Sequence, residues 1–489
     1  MIRLKHTLYI RKAWLRKSIS TWLMLIVLSC SACMADDFCV VKFGAKGDGK
    51  TNDTYAINSA IEASSAKGGG CVVIPKGVYL SHSIHLKSNI TLQLDEGAII
   101  KAAPVTDSLA YDNPEQNTST YQDFGHSHWQ NSLIWGIGLH NVKITGKGMI
   151  DGTGVLSRGG VRKGYTGPSI ANKAIALKDC KEIEISDLSF KSCGHFALLL
   201  TGVDDTLIDG LTIDTNRDGI DIDCCQNVVV RNCKVNTLND DAIVLKCSYA
   251  LGWAKPTENV LIEDCHVSGF DVGSLIDETY TTNTQKAPDR DGPTGRIKLG
   301  TESNGGFRDI TIRNCTFEHC RGLALESVDG AAMENINVSG IKMNDICNSP
   351  IYIRLGSRMR GPNTLSPSVV RNISISDVTV TDADCRYACL IAGEKGHPVK
   401  DVTLKNINIQ YRGGITLNDY HNQRGTNPFF YHDGGNYPEP SAHGIQPAWG
   451  LSATYAEGIV LDNVKFELLS SDERPMIYKK HVKRMKIRK

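Results

Sequence analysis

The sequence of 489 residues lacks a net charge of either sign, since 54 lysines and arginines face 53 aspartates and glutamates. Nucleic acid requires a surplus of positive charge, so this composition argues against such a partner. After residue 35, no apolar run reaches the roughly 18 to 20 residues that a membrane-spanning helix needs. The 16 cysteines include no pair of Cys-x-x-Cys units, which argues against zinc. We expect neither a metal nor another cofactor.

The first 35 residues have the pattern of an export signal. Six basic residues precede a short apolar run from Trp22 to Leu28, and small residues follow it. Cys30 and Cys33 stand where a bacterial lipoprotein carries its lipidated cysteine, so a lipid anchor and ordinary cleavage near Ala35 both remain open. We expect an exported protein of residues 36–489 that is periplasmic, an outer-membrane lipoprotein or extracellular.

Helix-favouring runs are also scarce, and a short strand repeat organises most of the chain. The repeat alternates apolar and other residues around a polar centre, as in IEISDLSF (183–190), VVVRNCKV (228–235) and ITIRNCTF (310–317). Its copies start 22 or 23 residues apart where they are closest, and the hairpin signals of a β-propeller are absent. One copy buries too little apolar surface alone, whereas stacked copies form a continuous core. The sequence therefore predicts a parallel β-helix.

Two smaller features fit this stack. The apolar spacing over 54–65 predicts one helix, stopped by glycines 68 to 70, which would cap the open end of the stack. Cys233, Cys265 and Cys315 recur at one position of the repeat. We expect them to be stacked, buried thiols rather than disulfide bridges.

Carboxylates mark the start of two consecutive strands. The stretch Asn216-Arg217-Asp218-Gly219-Ile220-Asp221 is followed one coil later by Asn239-Asp240-Asp241-Ala242. Stacking places Asp218 about 5 Å from Asp240 along the axis. Crowded like charges raise at least one pKa, which keeps one acid protonated near neutral pH while its neighbours remain bases. We therefore take Asp218, Asp240 and Asp241, called the carboxylate trio below, as catalytic candidates rather than as turn caps.

Strand parity predicts a groove beside the trio. If the isoleucines and leucines of these strands point inward, the alternate residues line one outer face. Charged and aromatic groups there suit a polyhydroxylated, acidic sugar chain, although an ordinary solvated face is the alternative for any one of them. The outward set is Asp221, Asp223, Lys246, Arg296, Lys298, Ala324, Glu326, Tyr352 and Arg354. The substrate-binding candidates are His195, Asp221, Lys246, Lys298, Glu302, Glu326 and Arg354.

At these residues the chain resembles glycoside hydrolase family 28, the polygalacturonase family, over nearly all of its mature length. The stretches FGAKGDGKTNDT (43–54) and GGGCVVIPKGVYL (68–80) are similar to the common entry of pectin-degrading β-helices. The motifs Asn216-x-Asp218-Gly219-Ile220-Asp221 and Asp240-Asp241 resemble the two carboxylate motifs of the hydrolases. Lyases of the same fold would use calcium and a basic residue instead.

The resemblance implies an inverting hydrolysis without a metal. Carried over to this chain, Asp240 protonates the leaving oxygen, while Asp218 and Asp241 hold the attacking water. Carboxyl groups roughly 6.5 to 9.5 Å apart would leave room for that water.

Two motifs of the endo-acting members are not matched here. Those members carry Gly-His-Gly one coil after the aspartate pair and Arg-x-Lys on the coil after that. In this chain Arg296-Ile297-Lys298 lies on the coil directly after that of the aspartate pair. Its continuation LGTESNGGF (299–307) occupies the Gly-His-Gly position. The chain is similar in this respect to a bacterial branch of the family.

Glu326 stands where the family's lysine would bind a galacturonate carboxylate. A neighbouring cation would have to compensate this like charge, with Arg354 as the first candidate and Lys298 as the second. The insertions 268–295 and 412–457 are long enough to close one end of the groove. Such closure favours removal of terminal sugars over internal cleavage.

The expected fold is therefore an all-β, single-domain, right-handed parallel β-helix of the pectin-lyase-like type, with a short N-terminal capping helix. The expected activity is inverting, exo-acting hydrolysis of a pectic polysaccharide or oligosaccharide. A non-catalytic polysaccharide-binding β-helix and a calcium-dependent pectic lyase remain the alternatives.

Overall fold

The structure is a computed structural model that describes residues 38–116, 121–122, 125–157, 169–284, 292–362, 366–423 and 437–488. The expected export signal over 1–35, with Cys30 and Cys33, lies outside these residues. Within the described ranges, no helix combines the length and apolar character needed to cross a membrane.

The strands form a stack with three faces, and each coil pairs in parallel with the coils before and after it. Face 1 contains β5 (Ile84–His85), β8 (Ile134–Ile137), β11 (Lys173–Lys178), β14 (Phe196–Thr201), β17 (Asp218–Asp223), β20 (Ile243–Cys247), β23 (Ile297–Ser303), β26 (Leu323–Ser327), β28 (Ile351–Leu355), β30 (Cys389–Ala392) and β33 (Ile477–Lys483). Face 2 contains β1 (Phe38–Cys39), β3 (Gly70–Ile74), β6 (Ile90–Leu94), β9 (His140–Gly146), β12 (Lys181–Ser186), β15 (Asp204–Asp209), β18 (Gln226–Arg231), β21 (Thr257–Glu263), β24 (Phe307–Arg313) and β34 (Lys486–Arg488). Face 3 contains β2 (Asp48–Asn52), β4 (Gly77–Ser81), β7 (Ala98–Ala102), β10 (Met149–Asp151), β13 (Ser189–Lys191), β16 (Thr212–Thr215), β19 (Lys234–Thr237), β22 (His266–Ser268) and β25 (Thr316–Cys320). Longer strands bend from one face to the next, namely β27 (Met333–Ile346), β29 (Val370–Ala383), β31 (Val399–Tyr411) and β32 (Leu451–Leu468). The predicted parallel β-helix is confirmed.

The polar centre of the repeat forms the bend between faces 2 and 3. Its residue has a positive φ in coil after coil, a conformation that glycine, asparagine and aspartate tolerate best. These residues are Asp187, Gly210, Asn232, Asp264, Asn314, Gly340, Asp377, Asn406 and Asn463. Some also bond along the stack, since the Asn463 amide donates to Asn406 at 3.0 Å and the Asn406 amide donates to Asp377 at 2.9 Å. The repeat thus encodes both the strands and the corner that joins them.

Apolar side chains stack in register through the interior. Leu198 of β14 lies beside Ile220 of β17, which lies beside Ile243 of β20 and then Ile297 of β23. All four are fully buried. Burial of each such side chain stabilises the fold by roughly 1.5 to 3 kcal/mol. Because the inward positions are fixed in this way, the alternate residues of face 1 are held outward.

The predicted helix and thiols are both present. Helix α1 (Thr54–Ala66) packs Ile57 and Ile61 against the first coils, so it covers the N-terminal end of the stack. A second, short helix, α2 (Leu417–Asn422), lies near the C-terminal end. The 14 cysteines of the described residues are free thiols. Cys233, Cys265 and Cys315 are buried on adjacent coils, as expected.

Two segments cover face 1 from opposite ends. The N-terminal wall, the described residues of 103–133 (103–116, 121–122 and 125–133), places Trp129 against Phe196 and Leu199, and its indole N–H donates to Thr201 at 3.0 Å. The C-terminal wall, residues 437–450, lies within the insertion 412–457 and includes the 3₁₀ turn Pro440–His443. The trio lies on face 1 between these walls.

Residues 268–284 of the other insertion, 268–295, do not close the groove. In its part 268–284, the backbone amides of Gly273 and Leu275 donate to the buried Asp214 carboxylate on face 3, each at 2.9 Å. This anchor holds the segment beside face 3 instead. The N-terminal wall, which the sequence did not indicate, takes the role expected of this insertion.

Candidate active site

The carboxylate trio is assembled by two neighbouring coils. Asp218 is the first residue of β17, and Asp240 and Asp241 form the turn before β20. One oxygen from each carboxylate lies within 4.8 Å of the other two. The Asp241 amide N–H donates to both neighbours, to Asp218 at 3.3 Å and to Asp240 at 3.2 Å. Gly219 permits this approach, since a Cβ there would lie 2.4 Å from the Ala242 carbonyl oxygen.

Each member of the trio has a cationic partner. Arg217 pairs with Asp240 at 2.5 Å, and the Lys246 ammonium lies 3.4 Å from Asp218. Asp241 receives two cations, Arg296 at 2.9 Å and Lys298 at 3.5 Å. These groups are almost fully buried, which makes their interactions stronger than at an exposed surface.

Burial and neighbouring charges shift the pKa values of Asp218 and of its partner Lys246. Burial raises the pKa of Asp218 to about 8, and the neighbouring Asp240 carboxylate adds to this rise while Lys246 opposes it. Although burial opposes ionisation of Lys246, the carboxylates of Asp218 and Asp221 keep its pKa well above the ordinary value. Burial and the charge of Asp240 therefore favour the protonated form of Asp218 in the free protein.

The trio opens into a pocket of about 140 Å³. The pocket is lined by His126, His195, Arg217, Asp218, Asp240, Asp241, Lys246, Lys298, Gly300, Thr301, Glu302, Arg360 and Tyr437. Asp240 is the most exposed of the three carboxylates, with 13% of its side chain accessible against 4% for Asp218 and 5% for Asp241. A ligand entering the pocket therefore meets Asp240 more readily than the other two.

The two walls narrow this pocket along the helix axis. On the N-terminal side, His126 contacts the Lys246 ammonium and packs edge-on against Phe196 at 4.7 Å between ring centroids. On the C-terminal side, Glu439 pairs with Arg296 at 2.5 Å and with Arg321 at 3.1 Å. Despite burial, these guanidinium groups lower the pKa of Glu439 to about 2, so the wall is held by a charged anchor.

The structure divides the expected substrate-binding residues into two groups. His195, Lys246, Lys298 and Glu302 line the pocket together with the trio. Asp221, Glu326 and Arg354 lie on the outer face of their strands but do not line the pocket. The expected open groove is therefore wrong at these positions, because neighbouring side chains and loops bury the outward row that strand parity had identified. Asp223, for example, is buried with its carboxylate bonded to Ser248, and the Tyr352 hydroxyl contacts His443 at 3.2 Å.

The expected compensation of Glu326 by Arg354 is also not observed. Arg354 is in register with Glu326, but its guanidinium pairs with Glu394 and donates to the Gly393 carbonyl at 3.2 Å. The cation beside Glu326 is Lys298, at 3.5 Å, which was the second candidate. Burial raises the pKa of Glu326 to about 7, and Lys298 opposes the rise.

Several pocket residues were missed by the sequence reasoning. Arg217 occupies the variable position of the motif Asn216-x-Asp218, and its place beside a catalytic candidate is the sequence signal that identifies it. His126 and Tyr437 belong to the walls, far from the trio along the chain. No local pattern identifies them, because only the folded chain brings them to face 1.

Two further expectations concern the separation of the carboxyl groups in the trio and the absence of a metal ion. The nearest oxygens of the trio lie within 4.8 Å of one another, whereas the expected 6.5 to 9.5 Å refers to the separation of whole carboxyl groups, which stays a prediction. The cluster is dense because one backbone amide binds two of the carboxylates. A divalent ion at these oxygens would face the four cations named above, so the site fits a metal poorly.

A cluster of carboxylates with one raised pKa, set in a pocket on a parallel β-helix, is typical of a carbohydrate-cleaving hydrolase. The chain is similar to glycoside hydrolase family 28. The model described as "Glycosyl hydrolases family 28" matches residues 298–425, and "Rhamnogalacturonase A/epimerase, pectate lyase-like" matches residues 38–271.

Curated relatives and a solved structure are also similar to this chain. A "Probable polygalacturonase" of Vitis vinifera is 29% identical over 314 residues, covering 59% of this chain and 62% of the relative. An "Exopolygalacturonase" of Zea mays is 25% identical over 397 residues, covering 77% and 84%. The family 28 exopolygalacturonase structure from Yersinia enterocolitica has a TM-score of 0.63 at 20% identity, covering 92% of this chain and 77% of that one. The right-handed β-helix is shared with that structure.

We expect Asp218→Asn to stabilise the protein increasingly as the pH rises from about 4 to 8. The pKa of Asp218 is about 8 in the folded protein and about 3.9 in an unfolded chain. The folded state binds this proton more tightly, so the wild type loses stability as the pH rises through this range. The difference in unfolding free energy should grow by at most about 1.4 kcal/mol per pH unit. Thermal denaturation of both proteins across the range measures it.

The matched control is Asp48→Asn. Backbone N–H groups of Thr51 and Lys50 lower the pKa of Asp48 to about 2, so its charge has the opposite linkage to stability and this variant should show no such gain. A gain for Asp218→Asn that is independent of pH would contradict the protonation assigned to Asp218.

Proposed function

We propose that this protein is an exo-acting, inverting hydrolase that removes terminal galacturonate residues from pectic oligosaccharides or polysaccharides. The supporting observation is the trio at the base of a pocket that is narrowed by walls on both sides along the helix axis. Similarity to exopolygalacturonases supports the substrate class.

In this proposal Asp240 protonates the leaving glycosidic oxygen, because it is the trio member most accessible from the pocket. Asp218 and Asp241 hold the attacking water and accept its proton. The reaction forms a bond from the water oxygen to the anomeric carbon and breaks the bond from that carbon to the leaving oxygen. Proton transfer of this kind contributes typically 10² to 10⁴-fold to a rate.

The remaining candidates take two roles. We propose that His195 and Glu302 contact the sugar at the rim of the pocket. Lys246 and Lys298 each contact two carboxylates, so their main effect is on the charge of the site. Asp221 forms an ion pair with Lys246, and Glu326 forms one with Lys298. Arg354 lies outside the pocket.

We expect the first product from an α-linked oligogalacturonide to be galacturonic acid in the β configuration. A pocket narrowed by walls on both sides favours entry of a chain end, and direct attack by water inverts the anomeric carbon. Proton NMR at short reaction times observes the product size and the anomer together.

Each alternative gives a different spectrum. A ladder of intermediate oligomers contradicts the exo mode, and an initial α anomer contradicts inversion. An unsaturated product absorbing in the ultraviolet would identify a lyase. No product at all would support a non-catalytic binding protein.

The three aspartates should respond differently to the leaving group. We expect Asp240→Asn to lower the turnover of digalacturonate by about 10³-fold or more, but to retain most activity on a nitrophenyl galacturonide, whose leaving group needs no proton. Asp218→Asn and Asp241→Asn should lose activity on both substrates, because water must still be activated. Steady-state kinetics of the three variants check this, and equal losses for all three would overturn the assigned roles.

We also propose that the protein is exported, from the basic and apolar pattern of residues 1–35. Mass spectrometry of the protein from its native host should find an N-terminus near residue 30 to 36. Fatty acid on Cys30 or Cys33 would show a lipid anchor, and a chain that retains Met1 would exclude export by this signal.

A further inference from the structure

Arg360 is the most accessible of the lysines and arginines that line the pocket in the described part of the chain. Its side chain is 39% exposed, against 5%, 5% and 1% for Arg217, Lys246 and Lys298. The three buried cations each pair with a carboxylate of the trio. Arg360 differs from them, since a ligand that enters the pocket can reach its side chain directly.

The guanidinium of Arg360 is loosely held. Among the described residues, its side-chain partner is Glu302, whose carboxylate lies 3.4 Å from the Nη1 atom. Glu302 also lies 3.4 Å from the almost fully buried Arg358, so it keeps a cationic neighbour when Arg360 binds a second anion. A guanidinium has five N–H donors in a fixed fork that matches the two oxygens of a carboxylate. Arg360 therefore has donors left for a ligand.

The backbone at Arg360, in contrast, is firmly anchored. Its N–H donates to the Asp329 carboxylate at 2.9 Å, and its carbonyl accepts from the Asn304 amide at 2.8 Å. Asp329 is fully buried and also pairs with Arg358 at 2.5 Å. The preceding Met359 has a φ of 53°, which a bulky residue adopts only where its surroundings hold it. The chain thus presents the Arg360 side chain from a fixed base.

Arg360 and the trio approach the pocket from opposite edges of face 1. The trio lies at the start of β17 and in the turn before β20, whereas Glu302, the partner of Arg360, is the next-to-last residue of β23. Both groups line the same pocket of about 140 Å³. In a pyranuronate the carboxylate is carried on C5, across the ring oxygen from the anomeric carbon. A sugar with its anomeric carbon at the trio can therefore direct its carboxylate toward Arg360.

We propose that Arg360 binds the carboxylate of the terminal uronate, the sugar whose bond is cleaved, and thereby selects acidic sugars. This inference rests on the proposed function, from which it takes the uronate substrate and the position of the cleaved bond. An accessible guanidinium with donors to spare forms charge-assisted hydrogen bonds to an entering carboxylate. The buried cations already contact the trio, so an anion bound to them would crowd the carboxylates further.

Removal of this contact should weaken the binding of acidic sugars specifically. We expect Arg360→Met to weaken the binding of galacturonic acid by about 10- to 100-fold, the range for hydrogen bonds to a charged group. Binding of its methyl ester, which carries no charge, should change little. Isothermal titration of both ligands with the wild type and the variant measures the two affinities.

Two further variants control for charge and for surface position. Arg360→Lys keeps the positive charge but not the fork, so it should retain part of the preference for the acid. Arg308→Met removes a similarly exposed arginine of β24, which is 47% accessible and 4.0 Å from Glu258, and it should leave both affinities unaltered. Circular dichroism and thermal denaturation check that each variant is folded.

Kinetics should place the effect in substrate binding. A nitrophenyl galacturonide contains a single sugar, so it reports on the terminal position alone. With this substrate, Arg360→Met should raise KM by about 10- to 100-fold while kcat changes little, as expected for a contact made equally in the bound substrate and the transition state. A loss in kcat at unchanged KM would assign Arg360 to the chemical step and overturn its role in recognition.

The binding and activity results together separate this inference from the proposed function. If Arg360→Met keeps the preference for the acid, or if acid and ester weaken equally, the inference is wrong even when the wild type hydrolyses uronates. An absent preference in the wild type contradicts it as well. If the wild type hydrolyses no uronate but Arg360→Met loses the preference, the proposed function is wrong and the carboxylate site stands.

Discussion

Parallel stacking in strict register is the constraint on which the rest of this protein depends. Each coil places its inward side chains on those of the coil before, so that Leu198, Ile220, Ile243 and Ile297 form one continuous row. The same register fixes the residues at the strand ends, and it brings Asp218 beside the aspartate pair of the next coil. The stability of the core and the geometry of the site therefore have a common cause, the register between adjacent coils.

Buried charge is the second organising feature. The trio concentrates three carboxylates within 4.8 Å, and Arg217, Lys246, Arg296 and Lys298 surround it. These cations are held in turn by carboxylates outside the trio, such as Asp221 and Glu326. Because desolvated charges require partners, the network extends outward until it reaches the walls at His126 and Glu439. The walls are thus joined to the catalytic centre by electrostatics as well as by packing.

Particular residues show how far sequence reasoning reaches. Strand parity placed Lys298 and Glu326 on the outer face correctly, since alternation is a local property of a strand. The same reasoning treated Asp223, Tyr352 and Arg354 as parts of an open groove, whereas each is buried with a partner of its own. Parity states which way a side chain points but not what covers it.

The sequence by itself determined the β-helix, the positive-φ corners, the stacked thiols and the adjacency of Asp218 to the aspartate pair, because all of these follow from a short repeat and its spacing. Only the tertiary structure decided that the groove is a pocket, that Lys298 and not Arg354 accompanies Glu326, and that Arg217 holds Asp240. Those outcomes depend on segments such as 103–133 and 437–450, whose composition carries no periodicity. Their positions are set by packing, by the hydrogen bond between Lys246 and His126 and by the ion pair between Arg296 and Glu439, each of which joins residues more than 100 positions apart.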